Sequence, residues 1–300
     1  MRTRISTRGT IALERSRAMD YITLTKPELT FLSVLTALAG YYLGAGGILE
    51  GTGVIHTLLG TALIGGGSGA LNQYIERRYD AQMKRTENRP LPSGRIAPLE
   101  ALFFGLLLAS GGILYLALCV NPLTASLGAF TCVTYLSLYT PLKRLTPLAT
   151  LVGGIPGALP PVMGWTAATN AVNSGAVILF GILFFWQMPH FLSLAWMYRK
   201  DYARAGYRLL AVLDTGGVRT ATQAFLCTCL LIPVSLLLVG GAGAGMTYAV
   251  TAAILGAVFL LFALLLLRRR TSGAARRLFF ASLLYLPALM LAMVIDRVIR

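Results

Sequence analysis

Charge is what this 300-residue sequence lacks most: Asp, Glu, Lys and Arg make up 12% of it, against roughly 25% in soluble domains. Acids are scarcer still, 11 against 26 Lys and Arg, and histidine occurs only at His56 and His190. The four cysteines (Cys119, Cys132, Cys227, Cys229) form no CxxC pair and all fall in apolar stretches. They read as small buried hydrophobes, not as a disulfide framework. What abounds is hydrocarbon: 56% of residues are hydrophobic and the mean hydropathy is +0.70. These values exclude a water-soluble globular enzyme and a disordered chain. They point to an all-α, polytopic membrane protein.

A bilayer core of about 30 Å needs about 20 apolar residues per helix. That ruler places spans near 29–48, 54–75, 99–119, 122–140, 147–166, 175–196, 221–240, 246–267 and 278–296. The basic residues test the count. Six lie in the N-terminal arm, six between spans 2 and 3, two between 4 and 5, five between 6 and 7, and five between 8 and 9. Arg297 and Arg300 form the C-terminal tip, and the other loops hold none. This alternation is the positive-inside pattern, and it predicts nine transmembrane helices with a cytoplasmic N-terminus and the C-terminus outside. The net charge of +15 is thereby explained by topology and by attraction to anionic membrane lipid, with no nucleic acid required. Residues 1–28 have no apolar core of a secretory signal and read as a cytoplasmic arm. Residues 29–300 read as one transmembrane domain.

The acids are unevenly placed. Asn72, Glu76 and Asp80 follow one another at i, i+4 and i+8 at the inner end of span 2, a spacing that puts them on one helix face. Like charges at i, i+4 repel by a few tenths of a kcal/mol. Two readings account for them: a solvated face balanced by Arg77, Arg78 and Lys84, or a site for Mg²⁺, which takes one or two carboxylates plus substrate phosphate. Lys84-Arg85-Thr86 and the run from Arg89 to Arg95 follow directly, and arginine forks match phosphate oxygens. Metal-binding acids beside phosphate-binding bases suggest a diphosphate–Mg²⁺ site. Lys200-Asp201-Tyr202 ends span 6 in the same compartment, so Asp201 is expected to face the first acids across a central cavity.

Polar groups within membrane spans are costly and mark function by default. Asn72, Gln187 and His190 are the notable ones. His190 reads either as a structural histidine bonded to a neighbouring helix or as a substrate contact. The glycines and prolines from Gly153 to Pro161 interrupt span 5, and such a break is tolerated where it is buried or lines a cavity.

At these residues the sequence resembles the UbiA-type intramembrane prenyltransferases. The family pattern NxxxDxxxD stands as Asn72, Glu76 and Asp80. Five stretches resemble the branch whose acceptor is heme: Leu24–Pro27, Asp80–Thr86, Tyr139–Arg144, Trp186–Phe191 and Lys200-Asp201-Tyr202 with Gly206. Two departures stand out. Glu76 replaces the usual Asp, and the second acidic motif is reduced to Asp201, with Ala205 four residues on.

The resemblance implies farnesyl diphosphate as donor, heme B as acceptor and Mg²⁺ as cofactor. It makes Asn72, Glu76, Asp80 and Asp201 the metal and catalytic set. Lys84, Arg85, Arg89, Lys143 and Lys200 become diphosphate ligands. His190, Trp186 and Tyr139 become heme or prenyl contacts, with Tyr74, Tyr135 and Phe185 as further rings for an allylic cation. It also implies residence in the inner (plasma) membrane, with heme A synthase or heme–copper oxidase assembly downstream. A related enzyme with a quinone-type aromatic acceptor and a non-enzymatic heme carrier are the alternatives.

Overall fold

The computed structural model describes residues 16–49, 51–241 and 243–299; residues 1–15 of the expected arm lie outside them. Every regular element is helical. The described end of the arm is a short helix, α1 (Arg17–Leu24), capped by the Ser16 hydroxyl. It turns Asp20 and Leu24 inward and leaves Met19 and Ile22 exposed. Asp20 accepts from Arg95 at 2.9 Å, and Arg17 pairs with Glu100 at 2.8 Å. The first contact ties α1 to the segment between residues 80 and 98, and the second to the first turn of the helix that starts at Pro98.

Lys26 joins α1 to α2 (Pro27–Gly44) and adopts a left-handed conformation, φ +49°. A side chain in that conformation costs about 1–2 kcal/mol. The break has a local cause, because Pro27 disfavours the right-handed helical region for the residue before it.

α3 (Gly51–Asp80) is 30 residues long, or about 45 Å at 1.5 Å per residue. That exceeds the hydrocarbon thickness of about 30 Å, so α3 is longer than one crossing needs, and its last turns carry Asn72, Glu76 and Asp80. Small residues let α3 lie close to its neighbours. A Cβ at Gly67 would strike the backbone of Gly105 and Ala109 on α4 (Pro98–Cys119), and one at Gly69 would come within 3.0 Å of the Thr25 carbonyl oxygen. The same device joins α2 to the helix Pro160–Thr169 reciprocally: a Cβ at Gly40 would meet the Pro161 carbonyl, and one at Gly164 the Ala37 carbonyl.

Six stretches among the described residues are long and apolar enough to cross a bilayer: α3, α4, α9 (Ser174–Met197), 218–241, α14 (Met246–Arg269) and α15 (Ser272–Ile299). The other three expected spans are built differently. α2 has 18 residues. The expected span 122–140 is α5 (Pro122–Val133), a π-helical turn (Thr134–Tyr139) and α6 (Thr140–Leu142). The expected span 147–166 breaks at Leu159 into α7 (Ala149–Ala158) and α8 (Pro160–Thr169). Pro160 and Pro161 lack the N–H groups that would carry α7 onward.

Beyond α9, the short helices α10 (Arg199–Arg204) and α11 (Leu210–Leu213) lead to α12 (Val218–Leu236) and α13 (Leu238–Gly241). Together α9, α12, α14 and α15 pack around Leu231, Phe259 and Tyr285. Asp296 on α15 accepts from the backbone N–H groups of Gly245 and Tyr248, holding the start of α14. The outer faces carry exposed apolar side chains such as Leu107, Leu118 and Leu284, as expected where lipid is the solvent.

Candidate active site

Four loops and helix ends converge on the mouth of one cavity of about 320 Å³. Lys26 comes from the α1–α2 joint. Glu76 and Asp80 come from the end of α3, and Arg85 and Arg89 from the loop after it. Lys143 follows α6, and Tyr202 and Tyr207 follow α9. The π-helical turn sets Tyr135 and Tyr139 on the same wall; such widened turns are frequent at functional sites. The interrupted span supplies Gly153, Pro156, Gly157 and Pro160 to the wall, which meets the cavity-lining reading of its prolines and glycines.

Each carboxylate at the mouth is held by a cation. Glu76 Oε1 accepts from Lys143 Nζ at 2.8 Å and from the Tyr207 hydroxyl at 3.0 Å. Asp80 Oδ2 accepts from Arg89 at 2.7 Å. Among the described residues no hydrogen bond or ion pair engages Glu76 Oε2 or Asp80 Oδ1, and both side chains line the cavity. The Lys143 ammonium also lies 4.5 Å from the Tyr139 ring centre. Burial pulls Lys143 down, but the Glu76 carboxylate, with the tyrosines around it, more than reverses this and holds it well above the usual lysine value. Burial pushes the Tyr207 phenol up, and the Glu76 charge adds to it, so Tyr207 stays a donor.

The sequence reading counts Lys26 among the arm's charges and within the Leu24–Pro27 stretch, but does not place it among the site residues. Its ammonium donates to Asn72 Oδ1 at 2.5 Å and to the Tyr135 hydroxyl at 3.3 Å. Burial, with Arg89 and Lys143 nearby, pushes it down to about 7 against the pull of Glu76 and Asp80. The usable signal was local: a lone lysine wedged between two helices and directly followed by proline. Tyr202 and Tyr207, flanking the Gly206 turn, were missed as well.

The structure does not bring together every residue expected here. Asn72 is fully buried and lies behind the wall; its Nδ2 donates to Thr140 Oγ1 at 2.9 Å, so both ends of the amide are engaged. Asp201 and Lys200 lie away from the cavity, in a separate shallow pocket with Tyr198 and Arg199. α9 ends at Tyr198, and on α10 Asp201 pairs with Arg204 one turn on. The segment after α9 does meet the end of α3, where Tyr207 donates to Glu76 at 3.0 Å, but the Asp201 carboxylate does not line the cavity. Lys84 is exposed on its loop and off the cavity wall.

The lining also includes the apolar Ile64, Met163 and Leu183, and it takes in Trp186, Gln187 and His190 on α9. Gln187 donates to the Gly154 carbonyl at 2.7 Å, tying α9 to α7. Tyr74 and Phe185 do not line the cavity; Tyr74 instead carries the Arg77 guanidinium over its ring at 4.4 Å.

A cation-rich mouth on a cavity lined by rings and apolar side chains between helices is the layout of an intramembrane prenyl-transferring enzyme. The chain belongs to the UbiA prenyltransferase family, which it matches over residues 33–284. Among its relatives, the protoheme IX farnesyltransferase of Salinibacter ruber is 49% identical over 277 residues, covering 92% of this chain and 98% of the relative. That of Myxococcus xanthus is 46% identical, covering 94% and 96%. The fold matches a solved digeranylgeranylglyceryl phosphate synthase with a TM-score of 0.79 at 17% identity, over 94% and 99% of the two chains. It also matches a UbiA homologue from Archaeoglobus fulgidus bound to GPP and Mg²⁺, with a TM-score of 0.64 at 15% identity, over 91% and 99%.

Proposed function

We propose that this chain transfers the farnesyl group of farnesyl diphosphate to a vinyl group of heme B, with addition of water, giving heme O and diphosphate. The carrying observation is the cavity: four cations and two carboxylates share its wall with apolar side chains and with Trp186, Gln187 and His190. The named activity of relatives at 49% and 46% identity supplies the acceptor.

The charges follow from the bond that breaks. Ionising the allylic C–O bond leaves negative charge on diphosphate and positive charge on the prenyl fragment. Lys26, Arg85, Arg89 and Lys143 are placed to receive the diphosphate oxygens, and being fixed in advance they need little reorganisation as charge develops. Tyr135 and Tyr139 present π-faces to the cation, each contributing about 0.5–2 kcal/mol. The apolar lining keeps water from the cation until the acceptor vinyl carbon has reacted.

The donor set fits a divalent cation. Among the described residues no cluster of three or more His, Cys, Asp and Glu could hold a metal alone, but Mg²⁺ is commonly held by one or two carboxylates plus substrate phosphates. Glu76 and Asp80, each with one oxygen turned to a cation and the other open, would hold it. When bound, it supplies Lewis-acid neutralisation of the diphosphate. Asn72 serves as the anchor for Lys26 and Thr140, and Asp201 and Lys200 act outside the cavity.

The topology belongs to the same reading. The broken and short segments count with the six long helices as nine crossings of the inner membrane. The arm 1–28 is cytoplasmic, and the charged mouth faces the cytoplasm, where water-soluble diphosphate leaves. Heme enters from lipid. The farnesylated product, still membrane-bound, passes to heme A synthase or heme–copper oxidase assembly.

The test is a membrane assay with heme B, farnesyl diphosphate and Mg²⁺, the product identified by mass. Heme O and diphosphate are expected. A prenylated aromatic acid formed in its place, or heme binding without diphosphate release, would overturn the reading.

A further inference from the structure

Resting on heme as the acceptor, the geometry points to His190 as the axial ligand of the heme iron through Nε2, with Ser282 as the residue that sets its tautomer. The proton assignment follows from the hydrogen bonds. Ser282 Oγ donates its single proton to the Phe279 carbonyl at 2.5 Å, because a carbonyl can only accept. His190 Nδ1 lies 2.8 Å from the same Oγ. With the serine proton committed to Phe279, Nδ1 must be the donor in that contact. The imidazole is then the neutral Nδ1–H tautomer, and Nε2 carries the lone pair.

The ring has one edge left to offer. Trp186 and Phe279 pack near-parallel to it, with ring centres 5.4 and 4.7 Å away, and Phe191 lies edge-on at 5.5 Å. Its Nδ1 edge lies against α15. His190 nonetheless lines the cavity. Among the described residues Nε2 has no hydrogen-bond partner, and it is not fully buried as the unpartnered Trp165 and Trp196 indole nitrogens are. A neutral imidazole with Nδ1–H on a fixed oxygen and Nε2 free is the arrangement of metal-ligating histidines. It is also the wrong partner for a heme propionate, which would need a donor. Ser282 fixes Trp186 too, whose indole N–H donates to the Ser282 carbonyl at 2.9 Å. One residue of α15 thus orients both rings of α9 that meet the acceptor.

Axial ligation would pin the macrocycle by its centre on the α9 wall of the cavity, leaving its rim, which carries the vinyl groups, to meet the prenyl carbon. No electron is transferred and no bond of the porphyrin changes in this contact.

The experiment uses the full chain, purified without a polyhistidine tag and titrated with heme B. Optical, EPR and resonance Raman spectra report imidazole coordination, including the iron–histidine stretch of the ferrous form. The chain holds only two histidines, and His56 lies off the cavity with its Nδ1 on the Tyr115 hydroxyl at 2.6 Å. Wild type and His56→Phe are expected to show the histidine signature. His190→Phe, which keeps a flat ring between Trp186 and Phe279, is expected to lose it, and His190→Gly is expected to regain it on adding imidazole. Wild type should also bind heme several-fold more tightly than metal-free protoporphyrin, a comparison that needs no variant. Heme bound with the same axial spectrum in wild type and His190→Phe, or equal affinity for heme and metal-free protoporphyrin, would overturn the ligand assignment and leave the acceptor reading standing. A wild type that binds neither porphyrin would overturn both.

Discussion

Lys143 Nζ lies 2.8 Å from Glu76 Oε1, a buried ion pair that joins the end of α3 to the turn after α6. Removing one partner of such a pair leaves the other charge buried without compensation. Lys143→Met is therefore expected to lower kcat by about 10²–10³-fold, the loss typical of one preorganised electrostatic group. Pairing it with Glu76→Gln should cost far less than the two single losses combined. Heme O formation in membranes, quantified by mass, checks both values; strict additivity would dissociate the two residues.

Asp80→Asn keeps the shape of the side chain and can still accept from Arg89, but it removes the negative charge offered to a cation. Heme O formation should fall below detection while the protein still inserts and elutes as wild type. Chelator should likewise stop the wild-type enzyme, and Mg²⁺ should restart it. Near-normal turnover of Asp80→Asn, or indifference to chelator, would remove the metal from the site.

Asn72 holds Lys26 at 2.5 Å and does not reach the cavity. Its effect should therefore run through that lysine. Asn72→Ala and Lys26→Met are each expected to raise KM for farnesyl diphosphate about tenfold or more, and the double variant should be no worse than the poorer single one. A steady-state cycle of the four proteins provides the check, with multiplying losses the contrary result.

Gly67 and Gly111 make a matched pair for packing. A Cβ at Gly67 would lie 2.9 Å from Ala109 Cα and closer still to backbone atoms, whereas one at Gly111 meets nothing within 4 Å. Gly67→Ala should destabilise the protein by about 1–3 kcal/mol, as overpacking does. Gly111→Ala should leave stability unchanged or raise it. Thermal unfolding in detergent compares them, and equal Tm values would contradict the close α3–α4 contact.

The helical architecture was legible because hydrocarbon thickness imposes a length on the sequence: the span expected at 175–196 is α9, Ser174–Met197. Legible too was the cavity wall around Pro156 and Pro160, since an interrupted helix needs shelter. The π turn at Thr134–Tyr139 was not, because nothing in Thr-Tyr-Leu-Ser-Leu-Tyr distinguishes it from an α-helix of the same hydropathy. Asp201 shows the limit of reading charge from a motif. Lys200-Asp201-Tyr202 has the right composition, but the change of helix at Tyr198 decides where its side chains go, and Arg204 gives Asp201 a local partner. Lys26 shows the converse. Its charge looked like one more topological marker until the backbone at φ +49° delivered it to Asn72.

The ionic and aromatic parts of the cavity are written in different parts of the chain. Nearly every ionic group at its mouth belongs to a connecting segment or a helix terminus, whereas Trp186 and His190 belong to the body of α9 and are anchored from α15. Exchanging Trp186, His190 or Ser282 can therefore retune which acceptor is admitted while the ionising machinery stays as it is. A scaffold so divided lends itself to diversification: one way of releasing a leaving group can serve many recipients.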